Sequence, residues 1–241
     1  VLRTLFIRHG KAASLLSANY DALSPMGVEQ SERIGAWLAA QGILPDAVFI
    51  GPRKRHAESY AASARASASR GCSLPAPAVV PDLDEHDAVK LVGQLLPALA
   101  ADDVGIAALV AAVASGRSPP EEDILTAFHG VARRWVAGEL PAGNVETWAA
   151  FRARVGRALE AVTHASAAAA RDRSGTVLVF TSAGVIAAAV GLALGLADAK
   201  TVDLSVAPYN GSVTEMIWGP SGWALRSFNA TPFESRLLTR I

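Results

Sequence analysis

A three-layer α/β/α sandwich on a mainly parallel sheet, carrying a helical insertion, is the fold class this chain predicts. Three observations point there. Short apolar runs with strand character (Leu5-Phe6-Ile7, Ala47-Val48-Phe49-Ile50 and Thr176-Val177-Leu178-Val179-Phe180) alternate with stretches of helical spacing. Each run passes at once into residues that turn the chain: Arg8-His9-Gly10, Gly51-Pro52 and Thr181-Ser182-Ala183-Gly184. The composition, 51% hydrophobic and 18% charged over 241 residues, is that of a chain with a large buried core. One domain over 1–241 is expected, with a helical cap at about 87–145.

The elements follow in order. After the first strand a polar loop runs through Tyr20-Asp21. Ser24-Pro25 then reads as a helix start, since serine caps well and proline is preorganised for the first helical position. Val28, Ile34, Trp37 and Leu38 keep helical spacing, and Gly42 supplies the stop. The strand Ala47–Ile50 is broken by Gly51-Pro52, and Arg53-Lys54-Arg55 opens the next helix. The Pro/Ser/Ala-rich stretch from Cys72 to Pro81 reads as loop. From Asp87 to about Gly138 the pattern is helical, interrupted at Gly116 to Pro120. A long helix over Val145 to Arg171 sets Trp148, Phe151, Val155, Leu159 and Val162 on one face. The apolar run at Thr176–Phe180 is the clearest buried strand and leads into an apolar helix, Val185–Leu196. Two late strands, Ser212 to Trp218 and Trp223 to Phe228, flank a Gly-Pro-Ser-Gly turn and read as an antiparallel hairpin at the sheet edge.

Charge and cysteine content narrow the chemistry. Lys+Arg and Asp+Glu both number 22, so a global field that attracts nucleic acid is not expected, and anion recognition must come from a local cluster of cations. The single cysteine, Cys72, cannot form an intrachain disulfide, and no Cys/His spacing suggests a metal site. No basic-then-apolar leader opens the sequence and no uncharged apolar run is long enough to span a bilayer. A cytoplasmic protein without a membrane partner is expected, and the late edge strands leave a homo-oligomer open.

Four segments carry chemistry: Arg8-His9-Gly10, Gly51-Pro52-Arg53-Lys54-Arg55, Leu83-Asp84-Glu85-His86 and Thr181-Ser182-Ala183-Gly184. In a parallel sheet the strand ends emerge on one side, where open α/β folds place their ligands. Arg8 and Arg55 then grip one tetrahedral anion, aided by helix N-terminal amides. Gly10 lets the backbone turn and a ligand approach closely. Arg53 and Lys54 read as surface charges.

At these segments the chain resembles the histidine phosphatase superfamily, the phosphoglycerate-mutase-like proteins, over nearly its whole length. Arg8-His9-Gly10 is similar to the family's opening motif. Leu23-Ser24-Pro25-Met26-Gly27 with Gln30 is similar to the helix start that follows it, and Gly51–Arg55 to the element bringing a second pocket arginine. Leu83-Asp84-Glu85 is similar to the loop bearing the family's proton donor, and Asn210-Gly211-Ser212-Val213-Thr214 to a late strand start. The resemblance implies phosphomonoester hydrolysis without a cofactor or metal. His9 would attack phosphorus and become phosphohistidine, and Arg8, Arg55, Gly10, Ser182 and Ala183 would hold the phosphoryl group. Glu85, protonated in its loop, would donate to the leaving alkoxide. The implied partner is a small phosphorylated metabolite or inorganic phosphate.

One position departs from the pattern. Phe180–Ile186 is similar to the family's segment with a second pocket histidine, but position 182 is serine and position 183 alanine, as in a branch with Thr-Ser there. A serine offers a neutral hydrogen bond but no charge. Loss of one preorganised donor costs about 2.7–4 kcal/mol of transition-state stabilisation, or roughly 10²–10³ in rate. Among the remaining histidines, His86 beside Glu85 is the strongest candidate to fill the gap. His56 reads as a helix-flank residue, and His129 and His164 as helix-surface or cap residues. Ser182 also has a plainer reading as the N-cap of the following helix. A serine-nucleophile elbow fails, because position 180 is phenylalanine and no histidine follows residue 182. Two further readings stand beside hydrolysis: a phosphate-ester-binding protein with weak or no turnover, and phosphoryl transfer of the mutase type.

Overall fold

The computed structural model describes residues 1–13, 21–117, 119–140, 145–170 and 174–240. Most of the expected loop before Asp21, and the predicted helix end at Arg171, lie outside the described residues. In chain order the elements are β1 (Leu2–Arg8), α1 (Pro25–Ala40), β2 (Ala47–Ile50), α2 (Lys54–Ala68), β3 (Pro77–Val79), a 3₁₀ turn (Pro81–Leu83), α3 (Ala88–Asp102), α4 (Val104–Ala114) and α5 (Glu121–Val136). There follow α6 (Trp148–Ala170), β4 (Gly175–Thr181), α7 (Ala183–Leu194), α8 (Asp198–Ser205), β5 (Val213–Gly219) and β6 (Gly222–Ala230).

The six strands form one sheet in the order β3-β2-β4-β1-β5-β6. β1, β2, β3 and β4 run parallel, and β5 and β6 are antiparallel to their neighbours at one edge. The two-residue alternation of a strand sends neighbouring side chains to opposite faces. Leu5 and Ile7 therefore pack on one side with Ile34 and Leu38 of α1. Phe6 joins Val177, Val179 and Met216 on the other, against Phe151 and Val155 of α6 and Val185 of α7. Leu91 and Leu95 of α3 and Val131 and Trp135 of α5 share that second core. Both faces of the sheet are covered by helices, so its central strands are apolar on both sides.

The register sets the site. Arg8 pairs with Thr181 across β1 and β4, and Ile50 with Phe180 across β2 and β4. Three parallel strands thus end level with one another and release His9, Gly51 and Ser182 at one edge.

Four details differ from the sequence reading. Pro77–Val79, expected as loop, adds a three-residue parallel edge strand to β2, a length too short to announce itself by alternation. The helix predicted from Asp87 breaks at Asp103, whose carboxylate caps the amides of Gly105 and Ile106. The apolar helix begins two residues early, at Ala183, and ends at Gly195 in the left-handed region. α8, unseen in the sequence, is a short helix anchored by Val202 in the core.

Candidate functional site

His9 follows β1 directly and is held from several sides. Its backbone amide donates to the Thr181 carbonyl at 2.9 Å, and Gly211 donates its amide to the carbonyls of Arg8 and His9. Gly211 adopts φ 71°, a conformation glycine takes without strain. Gln30, fully buried, accepts from the Lys11 amide and donates to the Leu237 carbonyl, which fixes the loop just beyond. Gly10 needs its lack of a side chain for a different reason from the one expected. A Cβ there would collide with the Gly27 carbonyl at the start of α1. Its amide is donated to Ser59 Oγ at 3.0 Å, which ties Gly10 to α2.

The ring of His9 is oriented by its own neighbour. Nδ1 lies 2.8 Å from the Gly10 carbonyl. A carbonyl only accepts, so Nδ1 carries the proton and Nε2 keeps its lone pair. Burial, then the positive charges of Arg55 and Arg8, hold this imidazole well below its ordinary pKa. His9 is therefore a neutral base with a defined reactive nitrogen.

Arg8 donates to the backbone carbonyls of Pro208 and Arg240. Burial lowers it to about 10, which leaves it a cation at neutral pH. A cavity of about 440 Å³ is lined by Glu121, Tyr209 and Arg240, the last of which offers its carbonyl to Arg8. Arg55 sits at the start of α2 and is nearly buried. It pairs with Asp21 at 2.8 Å and reaches Ser182 Oγ at 3.5 Å. Asp21 also accepts the Lys54 amide, so one carboxylate caps α2 and balances the pocket arginine. The sequence reading gave Asp21 no role, because a loop aspartate carries no signal of its partner.

Glu85 is clamped. Arg53 binds Asp84 and donates to the Glu85 carbonyl, while Arg154 of α6 donates to the carbonyls of Asp82 and Asp84. Arg53, expected at the surface, thus positions this loop. The Glu85 carboxylate accepts from the Gly184 amide at the N-terminus of α7 and from Nδ1 of His86 at 2.8 Å. A Cβ on Gly184 would collide with it, which accounts for glycine at 184, whereas Ala183 is tolerated as the first residue of α7. Burial favours the neutral acid, but the His86 charge, its hydrogen bond, the Gly184 amide and Arg55 outweigh it. The carboxyl falls to about 2. The expectation of a protonated Glu85 is therefore corrected: in this structure it is a carboxylate, kept so by its hydrogen bonds.

The remaining histidines exchange the places the sequence suggested. His86 binds Glu85 and lies among Phe128, Trp135 and Phe151, with ring centroids 5.0–5.8 Å away. His56, read as a flank residue, is fully buried. Its Nε2 is 2.7 Å from Ser182 Oγ, and its ring centroid is 5.7 Å from that of His9. Burial and then Arg55 lower it to about 3, so it is neutral at neutral pH. Helical spacing placed His56 on the side of α2 that shares its face with Ser59 and Ser63, an all-polar stripe that periodicity of apolar residues does not detect. Ser182 occupies the N-cap position of α7 but makes no side-chain cap bond. His129 links α5 to Asp203 of α8, and His164 is exposed.

The model for the histidine phosphatase superfamily (branch 1) matches residues 112–231. The chain belongs to the histidine phosphatase superfamily. The fold of this superfamily member is similar to that of a phosphoglycerate mutase from Bacillus anthracis str. Sterne, with a TM-score of 0.63 at 19% identity over 95% of this chain and 93% of the other. It is similar also to a mycobacterial glucosyl-3-phosphoglycerate phosphatase complexed with VO3, with a TM-score of 0.62 at 18% identity, covering 95% and 99%. An alpha-ribazole phosphatase from Shigella flexneri gives 0.60 at 17% identity, covering 95% and 96%. No curated protein sequence matches the chain. At these identities the structural likeness shows the fold. Among the described residues no three His, Cys, Asp or Glu side chains are grouped to hold a metal ion, and no helix is long and apolar enough to cross a membrane.

Proposed function

We propose that this superfamily member hydrolyses small phosphomonoesters through a phosphohistidine on His9. The observation that carries the reading is the ring of His9: protonated on Nδ1 by its bond to Gly10, unprotonated on Nε2, and within the field of Arg55 and Arg8. In the first step Nε2 attacks phosphorus, the P–N bond forms and the ester P–O bond breaks. Arg55 and Arg8 offset charge on the equatorial oxygens, where electrostatic stabilisation is the main contribution a protein makes to phosphoryl transfer. The departing alkoxide takes a proton from Glu85. A dianionic ester beside Glu85 raises that carboxyl's affinity for a proton, and the Nδ1–H of His86 lies one hydrogen bond away. In the second step Glu85, again a carboxylate, removes a proton from the water that attacks phosphohistidine.

The substrate class is a small phosphorylated metabolite, and we assign its selection to the helices of residues 87–145 together with the cavity lined by Glu121, Tyr209 and Arg240. Related folds serve a phosphoglycerate mutase and a glucosyl-3-phosphoglycerate phosphatase, so hydrolysis and transfer are both within the reach of this architecture. One unpaired cysteine and this chemistry fit a cytoplasmic protein.

The test is release of inorganic phosphate from a panel of sugar, nucleotide and aryl phosphates by the wild type and His9→Ala, with acid-labile phosphoenzyme measured alongside. Turnover and phosphoenzyme that His9→Ala lowers by roughly 10⁴-fold or more uphold the reading. Phosphate binding without turnover in the wild type would leave an ester-binding protein. Phosphoenzyme that passes its group to an acceptor rather than to water would make it a transferase.

A further inference from the structure

We propose that His56 and Ser182 act as one anion-binding pair, the Ser182 hydroxyl touching a phosphoryl oxygen and His56 placing a positive charge behind it. The inference rests on the assignment of His9 as the phosphoryl acceptor. His56 is a positioning residue in it, since it reaches the ligand only through Ser182.

Three features of the geometry support the pair. First, Ser182 is turned away from the duty its position suggests. A serine at an N-cap ordinarily accepts from an amide of the first turn. Here the Gly184 amide is taken by Glu85, and Ser182 makes no cap bond. Second, the neighbours of its oxygen decide where its hydrogen goes. A hydroxyl has one hydrogen and two acceptor lone pairs. Once the ring is protonated both its nitrogens carry hydrogens; with Nε2–H then donating across the 2.7 Å contact and the Arg55 guanidinium at 3.5 Å, both acceptor positions are engaged, and the hydroxyl hydrogen is left for an anion. Third, the pair stands beside the reacting nitrogen: both residues are buried, and the His56 ring lies 5.7 Å from that of His9.

The charge follows from the ligand. The groups facing His56 are Arg55 and Arg53 from its own segment, Glu85 from the loop before α3, the neutral His9 from β1 and the uncharged Ser182 and Gly51. Burial and then the arginines keep the ring neutral. A dianion seated against His9 opposes the arginine field at a distance where buried charges interact strongly. His56 then takes up a proton and holds it only while the anion is bound. A buried imidazole and a serine together thereby provide what one exposed serine hydroxyl would not.

The experiment measures proton uptake. Inorganic phosphate is titrated calorimetrically at pH 8, in buffers of different ionisation enthalpy, into His9→Ala and into the same protein carrying His56→Gln. Removing His9 excludes it as the proton acceptor, and glutamine keeps a donor near Ser182 without titrating. The parent should take up about one proton more per phosphate bound than the His56→Gln protein, because Glu85 responds alike in both. With His9 intact, Ser182→Ala and His56→Ala should each lower kcat/KM by roughly 100-fold, and the double variant little further, as for two residues on one path. Equal proton uptake, or losses that multiply, overturns the pair. Should His56→Gln fail to fold, Ser182→Ala carries the comparison, since it removes the oxygen that links ring and anion, and unchanged uptake there overturns the pair as well. Differing uptake without phosphohistidine formation upholds the pair and overturns only the hydrolytic reading. A parent that binds no phosphate overturns both.

Discussion

Arg55-His56 and Glu85-His86 present the same relation in sequence: a charged residue of the pocket followed at once by a buried histidine. Their surroundings give the two imidazoles opposite duties. His56 stands among arginines, faces a neutral hydroxyl and is itself neutral. His86 faces a carboxylate, donates to it and is boxed by Phe128, Trp135 and Phe151. One histidine answers to the ligand and the other to Glu85. The lesson is that burial and the sign of the adjacent charge set an imidazole's duty: the Arg55 cation disfavours a proton on buried His56, whereas the Glu85 carboxylate accepts the Nδ1–H of His86.

The comparison can be broken at several points. The largest effect should come from Glu85→Gln, which removes the acid and base at once. We expect kcat to fall roughly 10²–10⁴-fold with alkyl phosphates and less with aryl phosphates, whose leaving groups need little protonation. Equal losses for both ester classes would count against Glu85 as the donor. A smaller effect belongs to His86→Phe, which keeps an aromatic ring in the box but deletes the Nδ1–H. Glu85 should then become less acidic, so the acidic limb of the pH–rate profile moves to higher pH, with kcat lowered about 10-fold. A profile that does not move would reduce His86 to packing.

The third effect is on stability. His9 and His56 are neutral when folded, with pKa values below the unfolded value of about 6.5. Below that pH the unfolded chain binds protons that the folded chain does not, so stability falls as pH drops. The slope should approach about 1.4 kcal/mol per pH unit for each ring, read from urea unfolding between pH 6 and about 4.5. His56→Gln should halve the slope, and saturating phosphate should lessen it in the parent, because the bound state holds its proton. Glu85 acts in the same direction lower down: its folded pKa of about 2 lies below the unfolded value, so its contribution is present at neutral pH and is lost as pH falls below about 4.3. A flat profile from pH 6 to 4.5 would refute the neutral assignment of both rings.

The fold was largely legible because its central strands are apolar on both faces and each runs into residues that can only turn. Leu5–Ile7 and Thr176–Phe180 announce themselves in this way, and the helix start at Ser24-Pro25 does so by its cap. β3 and α8 were not legible: three residues give no alternation, and eight give barely two turns. At the candidate site the segments could be named, and the structure brings His9, Arg55, Ser182 and Glu85 to one sheet edge. Their partners could not be named. Asp21 on Arg55, Arg53 and Arg154 on the Glu85 loop, and His56 on Ser182 are contacts between residues 31 to 126 positions apart.

The sequence by itself determined which strands are buried, where each turns, and which side chains are delivered at the turns, since these depend on local hydrophobic period and backbone stereochemistry. Only the tertiary structure decided the protonation of those side chains and the use of each glycine. Gly10 yields to α1, Gly184 yields to Glu85, Glu85 is ionised and His56 is neutral. Each of these states depends on burial, an electric field or a steric approach that arises only when the strands are brought into register and the helices pack on them.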